Sequence, residues 1–98
     1  MRRTYKIKAL KINGKQINKL IVDPHVDKHQ DHINDEKIKK IVASLDGGQY
    51  VPVKTEDGFQ YFATNLYCEG KWYKLVWLLE ERSVYIGILT LYRDRRIK

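Results

Sequence analysis

The amino-acid sequence predicts an α+β domain in which an N-terminal β-hairpin and one or two short helices pack on an antiparallel β meander. Three observations carry that prediction. The last third, Phe59 to Lys98, holds three runs dense in aromatic and β-branched residues, cut by short polar turns. Asn13-Gly14 separates two alternating stretches and is the pair best suited to a type I′ hairpin turn. Between hairpin and meander, Ile38, Ile41, Val42 and Leu45 fall at i, i+3, i+4 and i+7, the stripe of an amphipathic helix.

The elements follow in chain order. From Thr4 to Val22 the pattern is a hairpin, with Tyr5, Ile7 and Ala9 alternating against Lys6, Lys8 and Leu10, and a return strand through Ile17, Lys19 and Ile21. Its recurrent lysines suit an exposed face or a protected sheet edge. Asp23-Pro24 is a helix start signal, so His25 to His32 reads as about two turns of helix. A second start comes at Asn34, where Asp35 and Glu36 favour the positive end of the helix dipole. Gly47-Gly48 is expected to end that helix.

Tyr50 to Lys54 reads as a short strand that Pro52 confines to an edge or an irregular start. The meander strands are Phe59–Cys68, Lys71–Leu79 and Val84–Tyr92, joined by turns at Glu69-Gly70 and Glu80–Ser83 and preceded by one at Glu56–Gly58. Connections this short imply antiparallel neighbours.

At 98 residues the chain is read as one domain, residues 1–98. Its 32% charged residues come with 11% aromatics, so disorder is not expected. No apolar run reaches the roughly 18 residues that span a bilayer. The basic start Met1-Arg-Arg-Thr-Tyr-Lys has no signal-peptide h-region, and Cys68 is the single cysteine; together they point to a reducing cytoplasm. A net charge of +7 on so small a domain points to an acidic partner: nucleic acid, an anionic membrane or an acidic protein.

Three constellations can carry chemistry. His25, His29 and His32 share one face of a continuous helix. That spacing suits a metal with Asp27 or Asp31 nearby, a set of surface or packing histidines, or one acid/base group, with His29 the candidate. The second group is Tyr92, Arg93, Arg95, Arg96 and Lys98. Guanidinium forks match phosphate oxygens, and Arg93 abuts the hydrophobic strand, whereas Arg95, Arg96 and Lys98 suit non-specific phosphate attraction. The third is Tyr61, Phe62, Tyr67, Trp72, Tyr73, Trp77 and Tyr85. Most of these are expected to fill the core, leaving Tyr61 and Tyr73 exposed to stack bases. Walker, Rossmann, CxxC, GxSxG and HExxH patterns are absent.

A histidine-bearing segment, Asp23-Pro-His-Val-Asp-Lys-His29, is followed by a short amphipathic helix and then by Gly70-Lys-Trp-Tyr-Lys-Leu-Val-Trp77 and Val84-Tyr-Ile-Gly-Ile-Leu-Thr-Leu-Tyr-Arg93. This order resembles the small toxin domains related to RelE and BrnT, in the wider barnase-, colicin- and RelE-like ribonuclease group. The likeness spans about Asp23 to Arg95. It implies a metal-independent RNA endonuclease of a toxin–antitoxin module, without a cofactor, whose partners are RNA and an acidic antitoxin protein. By position, His29 would be the acid/base group, Arg93 with Lys28 would hold the scissile phosphate, and Tyr92 would orient it or donate a proton. The RNA 2′-hydroxyl would attack the adjacent phosphate and leave a 2′,3′-cyclic product. Family members differ in their catalytic residues, so the alternative is a non-catalytic module that binds nucleic acid or an acidic protein.

Overall fold

The computed structural model describes residues 3–24, 26 and 33–95. Among these residues six strands and one α-helix follow in the order β1 (Arg3–Ile12), β2 (Lys15–Val22), α1 (Asp35–Ala43), β3 (Lys54–Glu56), β4 (Phe59–Cys68), β5 (Lys71–Glu80) and β6 (Tyr85–Arg93). All six strands form one sheet in the order β1-β2-β6-β5-β4-β3. The hairpin β1-β2 and the meander β3 to β6 are each antiparallel, but β2 joins β6 in parallel, from Lys19 beside Tyr85 to Val22 beside Ile88. The sheet is therefore mixed, where the sequence suggested a hairpin resting on an antiparallel meander. The chain crosses over between β2 and β3 through the segment that carries α1, as a parallel pairing requires.

The turns are local and follow from sequence. Asn13-Gly14, Asp57-Gly58 and Glu69-Gly70 each place two successive residues at positive φ, between 51° and 83°. That is the type I′ geometry whose twist matches flanking antiparallel strands. Asn13 also ties the hairpin to the loop before β3. Its side-chain amide donates to the Tyr50 carbonyl at 3.0 Å and its Oδ1 accepts from the Tyr50 amide at 2.5 Å.

Asn34 caps α1 by accepting from the Lys37 amide at 2.9 Å, and Asp35 and Glu36 follow in the first turn. The helix ends at Ala43 with Ser44 as cap, four residues before the expected Gly47 stop. Gly47 instead adopts φ +82° in a turn whose amide donates to the Lys11 carbonyl at 2.7 Å. Leu45 is fully buried although it lies beyond the helix. The strand expected over Tyr50–Lys54 is not formed there: the edge strand is Lys54–Glu56 and shares only Lys54 with it, Pro52 having no amide to give to a ladder. The first expected helix, His25 to His32, lies outside the described residues apart from Val26, which is buried and donates to the Asp23 carbonyl at 3.1 Å.

One face of the sheet holds the core. Ile38, Ile41, Val42 and Leu45 pack on Leu20, Val22, Phe62, Tyr73, Leu75, Trp77, Leu79, Ile86, Ile88 and Leu91. Trp77 is fully buried at its centre, stacked on Phe62 at 4.0 Å and 13°, with Tyr50 edge-on at 5.4 Å. Its indole N–H donates to the Thr64 hydroxyl at 3.0 Å, so its one polar atom is satisfied. Charges fasten α1 at both ends. Asp35 meets Arg3 at 3.3 Å and accepts from the Tyr5 hydroxyl, while Lys37 and Lys40 meet Glu69 of the β4–β5 turn at 2.5 and 3.7 Å.

Two irregularities move the core pattern along the strands. β1 and β2 change register between Lys6 and Leu10, which shifts the buried phase from Tyr5 and Ile7 to Leu10 and Ile12. In β6 the register slips at Leu89, so Ile86 and Ile88 share a face with Leu91.

Candidate functional site

Side-chain alternation on the sheet sends every second residue away from α1. In β5, Tyr73, Leu75, Trp77 and Leu79 are buried, whereas Trp72, Lys74, Val76, Leu78 and Glu80 are only half-buried on the opposite face. α1 is the only α-helix among the described residues, and it lies on the core face. Among the described residues no α-helix covers the other face, termed the open face, and its composition follows from the strand register.

Four rows cross that face. Tyr67 pairs with Trp72, their rings edge-on at 5.3 Å. Next, Asn65, Lys74 and Tyr92 stand side by side. Ala63, Val76 and Thr90 follow as an apolar strip. The widest row runs Thr4, Ile21, Gly87, Leu78, Tyr61 and Lys54 across all six strands. Beyond it lie Lys6, Lys19 and Tyr85 on one side and Phe59 on the other. Aromatic rings thus run from Tyr67 to Tyr61, roughly 20 Å along β4 at about 3.4 Å per residue.

At the wide row the face dips into a cavity of about 290 Å³ walled by Phe59, Tyr61, Leu78, Tyr85, Ile21 and Leu89, with Asp23 at its rim. Gly87 belongs to its floor. A Cβ there would come within 3.0 Å of Leu78 Cδ1, so the glycine lets Leu78 lean across β6.

Cations are distributed among the rings. Lys6, Lys19, Lys54 and Lys74 share the face with Glu56 and Glu80, and both acids gather at the Phe59 end. The Lys54 ammonium lies 5.9 Å from the Tyr61 ring centroid and meets Glu56 at 2.7 Å. That hydrogen bond, with the attraction between the two charges, raises the Lys54 pKa and lowers that of Glu56. Glu56 stays ionised and is paired with the Lys54 ammonium on this face. A face of alternating aromatic rings and ammonium groups can stack bases while its charges follow phosphates.

The residues singled out in sequence are dispersed by the structure. Tyr61 lies on the open face as expected. Tyr73 does not: it is 5% exposed, on the core side, with Lys37 5.9 Å above its ring. It shares the parity of Trp77 on β5, and that parity is the one α1 covers, so Tyr73 offers no stacking surface. The expectation that most of the seven aromatics fill the core is corrected too. Phe62, Tyr73 and Trp77 are buried, Tyr67 is 60% exposed, and Tyr61, Trp72 and Tyr85 are half-buried on the open face.

Tyr92 and Arg93 are successive residues of β6, beside Lys74 and Tyr73 respectively, and so point to opposite faces. Asp94 lies beyond the strand, buried, with its amide donating to the Trp72 carbonyl at 2.9 Å. Arg95 is exposed at the same end of the sheet. His29, Lys28 and Arg96 lie outside the described residues, as do His25 and His32. No group of three or more His, Cys, Asp or Glu able to hold a metal occurs among the described residues. Within the same residues, no helix is long and apolar enough to cross a membrane.

No protein-family model, curated protein or solved structure matches the chain. Nothing in these comparisons identifies a RelE- or BrnT-like toxin domain. Lys74 was missed in sequence, and Trp72 and Tyr85 were counted with the aromatics expected in the core. The signal that could have found Trp72 and Lys74 is the period of two in β5, where they alternate with Tyr73 and Leu75.

Proposed function

We propose that this protein binds single-stranded nucleic acid on the open face of its sheet. The observation that carries the reading is the half-exposed run Tyr67, Trp72, Tyr92, Tyr61 and Tyr85, interleaved with Lys74, Lys19 and Lys6 on the face opposite α1, which no α-helix covers among the described residues. Base stacking on exposed rings is worth about 1–3 kcal/mol per base and tolerates any sequence. The net charge of +7 adds a salt-dependent attraction to phosphates. A duplex hides the faces of its bases, so single strands are preferred.

Fluorescence anisotropy with a labelled RNA oligomer, its DNA counterpart and a duplex control tests this. Binding that weakens with salt, favours single strands and falls in Trp72→Ala and Lys74→Glu is expected. Equal affinity of the wild type and both variants would overturn it.

A ribonuclease reading gives His29 the acid/base role and Arg93, on the face opposite Tyr92 at the end of β6, the phosphate-holding role. It predicts cleavage of RNA in EDTA to a 2′,3′-cyclic phosphate, lost in His29→Ala and Arg93→Ala. Bound but intact RNA would leave the binding module as the function.

A further inference from the structure

β1 is one edge of the sheet, and the chain itself already pairs with part of it. The Lys11 amide donates to Asp46 Oδ1 at 2.7 Å, the Gly47 amide to the Lys11 carbonyl at 2.7 Å, and the Asn13 amide to the Gly48 carbonyl at 3.1 Å. The 46–48 turn thus occupies the outer edge of β1 at its C-terminal end, and β1 continues from there to Arg3 as the terminal strand. Alongside that stretch runs a trough of about 430 Å³ between β1 and α1, whose apolar wall is Ile7, Ala9, Leu10, Val42 and Ala43. Lys6, Lys8 and Lys39 border it, and Lys6 and Lys8 are exposed. Asp46 is the one acid of its lining, and it already accepts from Lys11.

We propose that β1 and α1 form a docking groove for an acidic, extended segment of a partner protein, which adds to the sheet as a further strand. An edge strand supplies main-chain donors and acceptors in the spacing of another peptide. Side chains of an added strand alternate. Those directed toward α1 enter the apolar trough, and those on the opposite side meet Lys6 and Lys8. The groove therefore reads a pattern of alternating apolar and acidic residues. A second copy of this chain is disfavoured as the occupant, because antiparallel pairing of two β1 strands sets lysines against lysines. The groove lies apart from the Trp72–Lys74–Tyr92 region of the open face and has only Lys6 in common with the proposed nucleic-acid surface, so the peptide and a nucleic acid are distinguished by shifts at Val42–Asp46 against shifts at Trp72 and Lys74.

The test is a labelled peptide that alternates glutamate with valine and leucine, titrated into the full chain by anisotropy and by amide chemical shifts. Saturable binding is expected, with shifts at Lys6–Leu10 and Val42–Asp46. The double variant Lys6→Glu, Lys8→Glu, whose sites are exposed and which should fold as the wild type by circular dichroism, is expected to weaken it by about tenfold or more. A peptide N-methylated on alternate amides, which cannot join a ladder, should not bind. Absence of binding, equal binding of the N-methylated peptide, shifts confined to Trp72 and Lys74, or dimerisation of the free protein through β1 would each overturn the proposal.

Discussion

The two faces of this sheet are built from neighbouring residues of the same strands, yet they behave as different materials. On one, Tyr73, Leu75, Trp77 and Leu79 are sealed under α1; on the other, Trp72, Lys74, Val76 and Leu78 stay half-exposed. A shift of one residue along β5 decides whether an aromatic ring stabilises the fold or is available to a ligand. The chain holds two tryptophans, one on each face, so the contrast can be probed with a single residue type.

Replacing each tryptophan in turn should break the comparison most visibly. Trp77→Ala removes a ring stacked on Phe62 and edge-on to Tyr50, and should cost about 3–5 kcal/mol in chemical denaturation. Trp72→Ala should cost clearly less, about 1 kcal/mol, because the ring is half-exposed on the open face and meets Tyr67 edge-on rather than being enclosed. The same Trp72 variant should lose nucleic-acid affinity, whereas any folded Trp77 variant such as Trp77→Phe should keep it. Similar stability losses at both positions would mean that the open face is structural.

Charge sharpens the contrast at a smaller scale. Lys19→Glu combined with Lys74→Glu, both on the open face, should lower affinity for an RNA oligomer by about tenfold or more in low salt and flatten the salt dependence. Charge reversal at Lys37 or Lys40, which hold Glu69 on the core side, should alter stability before it alters binding.

The cap and the ion pairs of α1 give the smallest effects. Asn34→Ala removes the acceptor for the Lys37 amide and should cost about 1 kcal/mol. The Lys37 hydrogen bond and charge, with Lys40 beside it, hold the Glu69 carboxyl below the usual carboxylate range. A lowered carboxyl pKa stabilises the fold above its unfolded value, and that contribution is lost as pH falls through the folded value. Thermal melts of Glu69→Gln should accordingly lose part of the acid-side decline that the wild type shows, with little difference far below that pH. Lys37 has the opposite sign. Its pKa is raised by the same hydrogen bond, so its share is present below the ordinary lysine value and is lost at strongly alkaline pH.

Much of the fold was legible because it is local. The pairs Asn13-Gly14, Asp57-Gly58 and Glu69-Gly70 announce three turns, and the Ile38–Leu45 stripe with Asn34 before it announces α1. The parallel contact of β2 with β6 joins residues more than sixty positions apart and leaves no mark in a single sequence. The register changes at Lys6/Leu10 and at Leu89 likewise depend on what packs above the sheet. The site shows the same limit. Alternation in β5 groups Trp72 with Lys74 and Tyr73 with Trp77, but only the seat of α1 decides which group is buried. Tyr73 was assigned to the wrong group for that reason, and Tyr61 to the right one.

The most direct measurement follows the two indole N–H resonances while a single-stranded RNA oligomer is added. The Trp72 signal is predicted to shift and saturate with the oligomer, while that of Trp77, bonded to Thr64 inside the core, stays in place. An unmoved Trp72 in folded protein at saturating RNA would contradict the assignment of the open face.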